Sequence, residues 1–363
     1  MPDHLKQPTP NPTTMKKETD LYNVPGFVSE LTEYILSDMP TPNRPCAFAA
    51  AFALLSHLAG RKYVGENRAA PNLLLTLVGE TGCGKTTATN SAISLALELG
   101  LNVHTGCFKD NDLEDCLIEN PLTLLMDCSV LRLFWHPKSK LARILKTTFD
   151  DSVSTWRREP TCRTIRRGAP HKIVAPHVTL LGVTCPEETW WRVRPQTFES
   201  GVVQRMLFIE ADPVRAMNPY PKQIKFSSGI MQHAKKLLAG KPDAVETRET
   251  FDTKHDLTVV PFAAGGREAW RELLARNDAR TRELGKQFGP FARSRAAAMV
   301  RRAELAGRCA LLYALSENAD EPQLTPAAFD WAFRFVECLQ DTAFENAVAA
   351  SKGKRTYWKG GAL

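Results

Sequence analysis

The chain predicts an α/β protein built on a parallel sheet, and three patterns predict it. Short continuous apolar runs recur at 72–78, 101–104, 121–126, 177–184 and 202–211. Stretches of helix length separate them, so each run is buried on both faces, as parallel strands under crossover helices are. Beyond residue 228 the runs give way to helix-period segments rich in Ala, Leu and Arg, such as GGREAWRELLARNDARTRELGKQF and SRAAAMVRRAELAGRCALLYALSE, which predict a helical C-terminal domain.

Taken in order, residues 1–20 are rich in Pro, Thr and charge and predict a flexible lead-in without the apolar core of a secretory signal. Residues 21–61 predict a helical module. Phe27, Val28, Leu31, Tyr34 and Ile35 recur at helical spacing, and after the breaker PTPNRP a second helix follows in RPCAFAAAFALLSHLAG. That stretch is the longest apolar one, yet it is too short to cross a membrane and carries Ser56 and His57. It therefore predicts a buried helix. Residues 62–227 hold the strand series, 228–350 the helical domain, and 351–363 a basic, glycine-containing flexible tail. No internal repeat is present.

With 363 residues and 43 % hydrophobic content the chain has material for a sizeable core. Its 47 Lys and Arg against 40 Asp and Glu leave +7, which favours a polyanionic partner only where the excess is clustered. Nine cysteines without a C-x-x-C pair indicate neither a zinc framework nor a disulfide scaffold. Free thiols in a reducing cytoplasm are the expectation.

The most specific motif follows the first apolar run. Gly79, Glu80, Thr81, Gly82, Cys83, Gly84, Lys85 and Thr86 fill the phosphate-loop pattern G-x-x-x-x-G-K-[ST], with Thr87 next, a strand before it and a helix after it. The glycines let backbone N–H groups turn onto phosphates, Lys85 reaches the terminal phosphates, and the Thr86 hydroxyl is placed for Mg2+. ATP with Mg2+ is the expected ligand. The core is accordingly expected to be a RecA/AAA-like P-loop NTPase.

Such a site also needs a carboxylate at a neighbouring strand end for the metal shell, and PLTLLMDCSVL supplies Asp127. Many hydrolysing relatives place a glutamate directly after that aspartate to orient water; here Cys128 stands there, and a thiol is a poor substitute. Glu80, Glu114, Asp115 and the pair Asp150 and Asp151 are the alternative carboxylates. Thr184 ends the later strand HVTLLGVT as a candidate γ-phosphate sensor. After the turn at Gly201, Arg205 opens the last strand as a candidate arginine that reaches a neighbouring subunit's nucleotide.

The basic excess is clustered twice. Between Trp156 and Lys172 lie Arg157, Arg158, Arg163, Arg166, Arg167 and Lys172 against the single acid Glu159, flanked by turn residues. A projecting hairpin there would offer arginines to phosphates and Trp156 to a base, the chemistry of single-stranded nucleic acid; a solvated basic loop or an inter-subunit face is the alternative. The second cluster, Arg293, Arg295, Arg301, Arg302 and Arg308, reads as the exposed face of an amphipathic helix, with Arg302 the candidate to lean onto the nucleotide. The tail's Lys352, Lys354, Arg355, Tyr357, Trp358 and Lys359 could add weak nucleic-acid contact.

Helical lead-in, PNLLLTLVGETGCGKTT, LTLLMDCSVL, arginine-rich hairpin, PHVTLLGVTCPEETWW, SGVVQRMLFIEAD and RRAELAGRCALLYAL, in that order, resemble a family of phage-, plasmid- and mobile-element-borne P-loop ATPases. That family is catalogued largely as a domain of unknown function and is often found with primase-polymerase modules. The resemblance spans roughly residues 25–345, with the phosphate loop its one specific motif. It implies a cytoplasmic, helicase-like replication ATPase acting on DNA as a homo-oligomer, a hexameric ring by analogy, with a primase or polymerase partner. In the family the carboxylate strand usually ends in Asp-Glu and a Gly-x-x-x-Arg segment follows the later strand. This chain matches at Asp127 and Arg205 and departs at Cys128.

Two readings result: a motor that hydrolyses ATP to move on single-stranded DNA, and an ATP-gated assembly or recruitment protein with little turnover. A small-molecule phosphotransferase is a third, without an evident acceptor motif.

Overall fold

The computed structural model describes residues 21–106, 112–130, 139–157, 172–213, 217–221, 226–240, 257–289 and 291–353. Five strands form the central sheet: β2 (Leu74–Val78), β3 (Val103–Gly106), β4 (Leu122–Ser129), β7 (His177–Thr184) and β8 (Met206–Glu210), in the order β3-β4-β7-β2-β8. Every pairing is parallel. The five apolar runs of the sequence are thus the five strands; β2, β7, β8 and the middle of β4 are buried, which is why they read as continuous runs, while the edge strand β3 is half-buried to exposed. The last run is shortened, because Val203–Arg205 makes a 3-10 turn before β8 begins.

Helices α1 (Phe27–Asp38) and α2 (Arg44–Leu58) lead into β1 (Tyr63–Gly65). Asn43 caps α2, accepting from the Cys46 N–H at 3.5 Å, and Pro45 stands in the first turn, where a missing N–H costs nothing. From Pro45 to Leu58 every residue of α2 is buried, which explains its lack of polar spacing. The helix packs on β2, β4, β7 and β8, so the N-terminal helices share the hydrophobic core of the sheet. Ser56 and His57, which interrupt the apolar stretch, are buried with it. Ser56 donates to Pro71 O at 2.8 Å and lies 3.0 Å from Thr179 Oγ1, while His177 Nε2 lies 3.1 Å from Ser56 O.

The connections are α3 (Lys85–Glu98), α4 (Asp112–Glu119), α5 (Lys140–Asp150) and α6 (Pro186–Arg192). Between α5 and β7 the strands β5 (Thr155–Arg157) and β6 (Lys172–Val174) pair antiparallel, Thr155 opposite Val174 and Arg157 opposite Lys172. Past the sheet come α7 (Ser228–Leu238), β9 (Thr258–Val260), α8 (Gly266–Gly285), α9 (Ala292–Met299), α10 (Arg302–Glu317) and α11 (Pro326–Ser351). The helical C-terminal third is as expected, except that β9 returns to pair parallel with β1. Trp331 and Phe335 of α11 pack tilted or edge-to-face on Phe48 and Phe52 of α2, joining this part to the first. Among the described residues no helix is long and apolar enough to cross a membrane.

Candidate nucleotide site and the opposite edge of the sheet

The phosphate loop leaves the carboxyl end of β2, between the ends of β7 and β8. Gly79 N–H donates to Thr184 O at 3.1 Å and Ala211 N–H to Val78 O at 2.7 Å, carrying both ladders one step past the strand. Gly82 and Gly84 have φ of +85° and +93°, the left-handed region that glycine enters freely. Gly79 needs its missing Cβ for another reason: one placed there would lie 2.6 Å from both Ala211 Cβ and Cys83 Sγ. Glu80, Thr81, Gly82 and Thr86 are exposed, Gly84, Lys85 and Thr87 half-buried, and Cys83 buried.

Lys85 curls over the loop, its ammonium donating to Gly79 O at 2.5 Å and Glu80 O at 2.7 Å, with Cys83 Sγ at 3.7 Å. The Cys46 thiol hydrogen-bonds Cys83 and, with the Lys85 charge, draws the Cys83 thiol below the usual thiol range. Gly84 precedes α3 with no side chain capping the helix, so its first N–H groups face the loop. Free N–H groups, the helix dipole and an ammonium converge here, which is an anion-binding arrangement.

Asp127 stands in a bulge of β4: Met126 pairs with Leu181 and Cys128 with Gly182, leaving Asp127 between them without a partner. Its φ is +52°, in the left-handed region. A bulge re-aims the side chain it displaces, and such strain collects at sites. Burial alone raises the Asp127 carboxyl above its ordinary range, so a cation would be welcome beside it. Thr184 lies level with Val78, two to three residues beyond the bulge, or about 7–10 Å along the strand. It is buried and accepts from Thr189 Oγ1 at 2.9 Å, a bond that fixes its hydroxyl.

No group of three or more His, Cys, Asp or Glu among the described residues could hold a metal by itself. The expected Mg2+ would share its ligands with phosphate. The exposed Thr86 at the start of α3 and the strained, half-buried Asp127 suit that use.

Of the alternative carboxylates, Glu80 is exposed within the loop. Glu114 is buried in an ion pair with Lys140, and Asp150 is taken by Arg205. Asp151 accepts from Ser154 beside β5, at the far edge of the sheet. Two carboxylates that sequence reasoning missed flank the loop. Asp212 follows β8 and is locked to Asn43: its N–H donates to Asn43 Oδ1 at 3.2 Å, and Asn43 Nδ2 donates to its carbonyl at 3.0 Å. Glu188, in the first turn of α6, shares its surroundings with Lys85: burial raises the Cys185 thiol, Glu188 raises it further and Lys85 opposes both. The signal was present, since both come after apolar runs of the sequence as Asp127 does.

Arg205 ends the 3-10 turn just before β8, at the amino edge of the sheet and away from the chain's own phosphate loop, and within the single chain it is 3 % exposed. It holds Asp150 at 3.0 and 2.5 Å and also donates to Gly201 O. Arg301 joins at 3.4 Å from Asp150 and 2.5 Å from Glu304, and Glu304 meets Arg308 at 2.9 Å. Burial would raise the Glu304 carboxyl, but Arg308 and Arg301 outweigh it and hold it low.

Arg302 corrects the expectation of an exposed face: the candidate to lean onto the nucleotide is 1 % exposed and clamps α10 to α11 through Gln340, Glu337 and Asp341 at 3.1, 3.0 and 2.7 Å. Arg308 is likewise buried, its guanidinium 3.8 Å from the Phe149 ring centroid and hydrogen-bonded to Asn72. The expected exposed arginine face survives at Arg293.

The hairpin strands β5 and β6 also stand at the amino edge, Ala175 N–H donating to Ser154 O just before β7 begins. The backbone places Trp156 opposite Ile173 and Arg157 opposite Lys172. Arg158, Arg163, Arg166 and Arg167 lie outside the described residues, as do residues 1–20 and 354–363. Compared with known families and with curated proteins, the chain matches no family model and no curated sequence.

Proposed function

We propose that this chain is an ATP-dependent, DNA-binding replication ATPase with a RecA/AAA-like P-loop core, a ring-forming helicase-like motor that uses ATP hydrolysis to move on single-stranded DNA. The observation that carries the reading is the placement of the G-x-x-x-x-G-K-T turn at the carboxyl end of a central parallel strand. Asp127 and Thr184 lie on strands to one side and Arg205 just precedes the strand on the other. Carboxyl ends of parallel strands are where α/β sheets bind ligands. On this reading Lys85 and the first N–H groups of α3 hold phosphates, Thr86 and Asp127 hold Mg2+, and Thr184 positions water. Bound Mg2+ would withdraw charge from the transferring phosphoryl group.

DNA contact falls to the basic hairpin at the opposite edge. A homo-oligomer would bring one subunit's amino edge to the next subunit's loop, and a primase or polymerase is the partner class that the resemblance suggests.

A second reading has its own observation. With Cys128 after Asp127 and Arg205 tied inside its own subunit, ATP would favour assembly on DNA with little turnover. Phosphate release from Mg-ATP, with and without single-stranded DNA and with Lys85→Ala as blank, separates the two. DNA-stimulated release supports the motor. ATP binding without release supports the assembly protein and removes the motor.

A further inference from the structure

The nucleoside half of the ligand has a place to go. Sheet order assigns its direction: Asp127 and Thr184 stand on β4 and β7, so the metal and terminal phosphates point to that flank of β2. The rest of the molecule must leave on the β8 flank. Two segments meet there. The turn 38–43 presses on the loop, for a Cβ on Gly84 would meet Met39 and would lie 2.7 Å from Thr41 O. Beside that turn runs the segment after β8: Asn218 N–H donates to Pro40 O at 2.6 Å, and Tyr220 N–H to Asn218 Oδ1 at 3.1 Å. Farther on, Phe226 packs on Tyr34 of α1 with ring centroids 4.5 Å apart, anchoring the far side.

This segment is tied to the 38–43 turn at Asn218 and closed on itself by the Tyr220-to-Asn218 bond, yet two of its large apolar side chains are left in the open. Tyr220 is 84 % exposed and Met217 71 %. A proline on each side of Tyr220 restricts the backbone further. An exposed aromatic ring on a braced turn, on the flank where a nucleoside must emerge, is suited to stacking.

Resting on the nucleotide reading above, we propose that Tyr220, with Met217 beside it, is the platform on which the purine base of the bound nucleoside triphosphate stacks.

The test compares two ligands that share the triphosphate and differ in the base, Mg-ATP and Mg-tripolyphosphate, by calorimetry on the full chain. Base stacking on an aromatic ring is worth about 5- to 150-fold in affinity. Tyr220→Ala is therefore expected to weaken ATP by that factor and to leave tripolyphosphate within about twofold, while Tyr220→Phe keeps both. Because the ring is exposed, its removal leaves the core intact, and an unchanged melting curve confirms it. If both Tyr220→Ala and the parent chain bind ATP equally and Lys85→Ala binds neither ligand, the phosphate site stands and the platform is overturned. If the parent chain binds neither ligand, the nucleotide reading fails and the platform with it.

Discussion

Arg205, in the turn just before β8, grips Asp150 at the end of α5 through two hydrogen-bonded contacts of 3.0 and 2.5 Å, tying the amino edge of the sheet to the root of the basic hairpin. Five residues on, β5 begins. Arg301, Glu304 and Arg308 extend the pair into α10, so hairpin root, sheet edge and C-terminal helices meet in one chain of alternating charges. A subunit interface formed at this edge would have to compete with that chain.

Removing Asp150 tests the pair. Asp150→Ala leaves a buried guanidinium without its carboxylate, which costs about 3–5 kcal/mol in a fully buried pair; with Asp150 39 % exposed, the expected loss is about 2 kcal/mol. Urea denaturation measures it. If the arginine also acts on a neighbour's nucleotide, Arg205→Ala mixed into intact chain lowers turnover per intact subunit; turnover in simple proportion to intact chain would confine Arg205 to the internal pair.

Asp127 separates stability from function. Asparagine tolerates a left-handed backbone at least as well as aspartate, so Asp127→Asn is expected to keep the melting temperature within a few degrees. Without the charge, Mg2+-dependent nucleotide binding or turnover should fall by at least about tenfold. Titration with Mg2+ at fixed ATP checks it, and an unchanged Mg2+ requirement would remove Asp127 from the metal shell.

Most of the sheet was legible because β2, β7 and β8 are buried along nearly their whole length and so read as apolar runs, whereas the edge strand β3, half-buried to exposed, carries a weaker pattern. The loop was legible because a turn that takes Gly82 and Gly84 through the left-handed region demands glycines at fixed positions. Arg302 and Arg308 were not, because helical spacing tells which residues share a face but not what lies against it. Glu337, Gln340 and Asp341, which satisfy Arg302, lie a helix away in sequence. Nor does β9 announce itself, since three residues paired to a distant β1 carry too short a pattern. The bulge at Asp127 has no sequence signature beyond a polar residue closing an apolar run.

The Arg302 clamp makes an opposite prediction from a nucleotide contact. Its planar fork serves three acceptors on α11, of which Gln340 is buried and Glu337 and Asp341 are partly exposed, so Arg302→Ala is expected to cost about 3 kcal/mol. Lysine cannot reproduce the fork, and Arg302→Lys should recover only part. Thermal melting reads both. Once stability is restored by working at lower temperature, ATP affinity should equal that of the parent chain.

Acid should loosen the joint between α2 and the sheet. His57 and His177 are buried, and burial lowers His57 to about 3 and His177 well below its ordinary value. In the unfolded chain both titrate near 6.5, so between that pH and the folded values the unfolded state binds more protons. Stability is therefore fully present above about 6.5 and is lost as pH falls, by about 1.4 kcal/mol per pH unit for each such histidine. Burial is the main cause that holds His177 neutral, the positive charges around it, from His57, Lys62 and Arg308, add to it, and the bond to Ser56 O opposes them. Urea midpoints at pH 7 and pH 5 should show the decline, and His57→Leu should make it shallower by one proton's worth. A slope identical in parent and variant would mean that His57 is not held neutral in the folded chain.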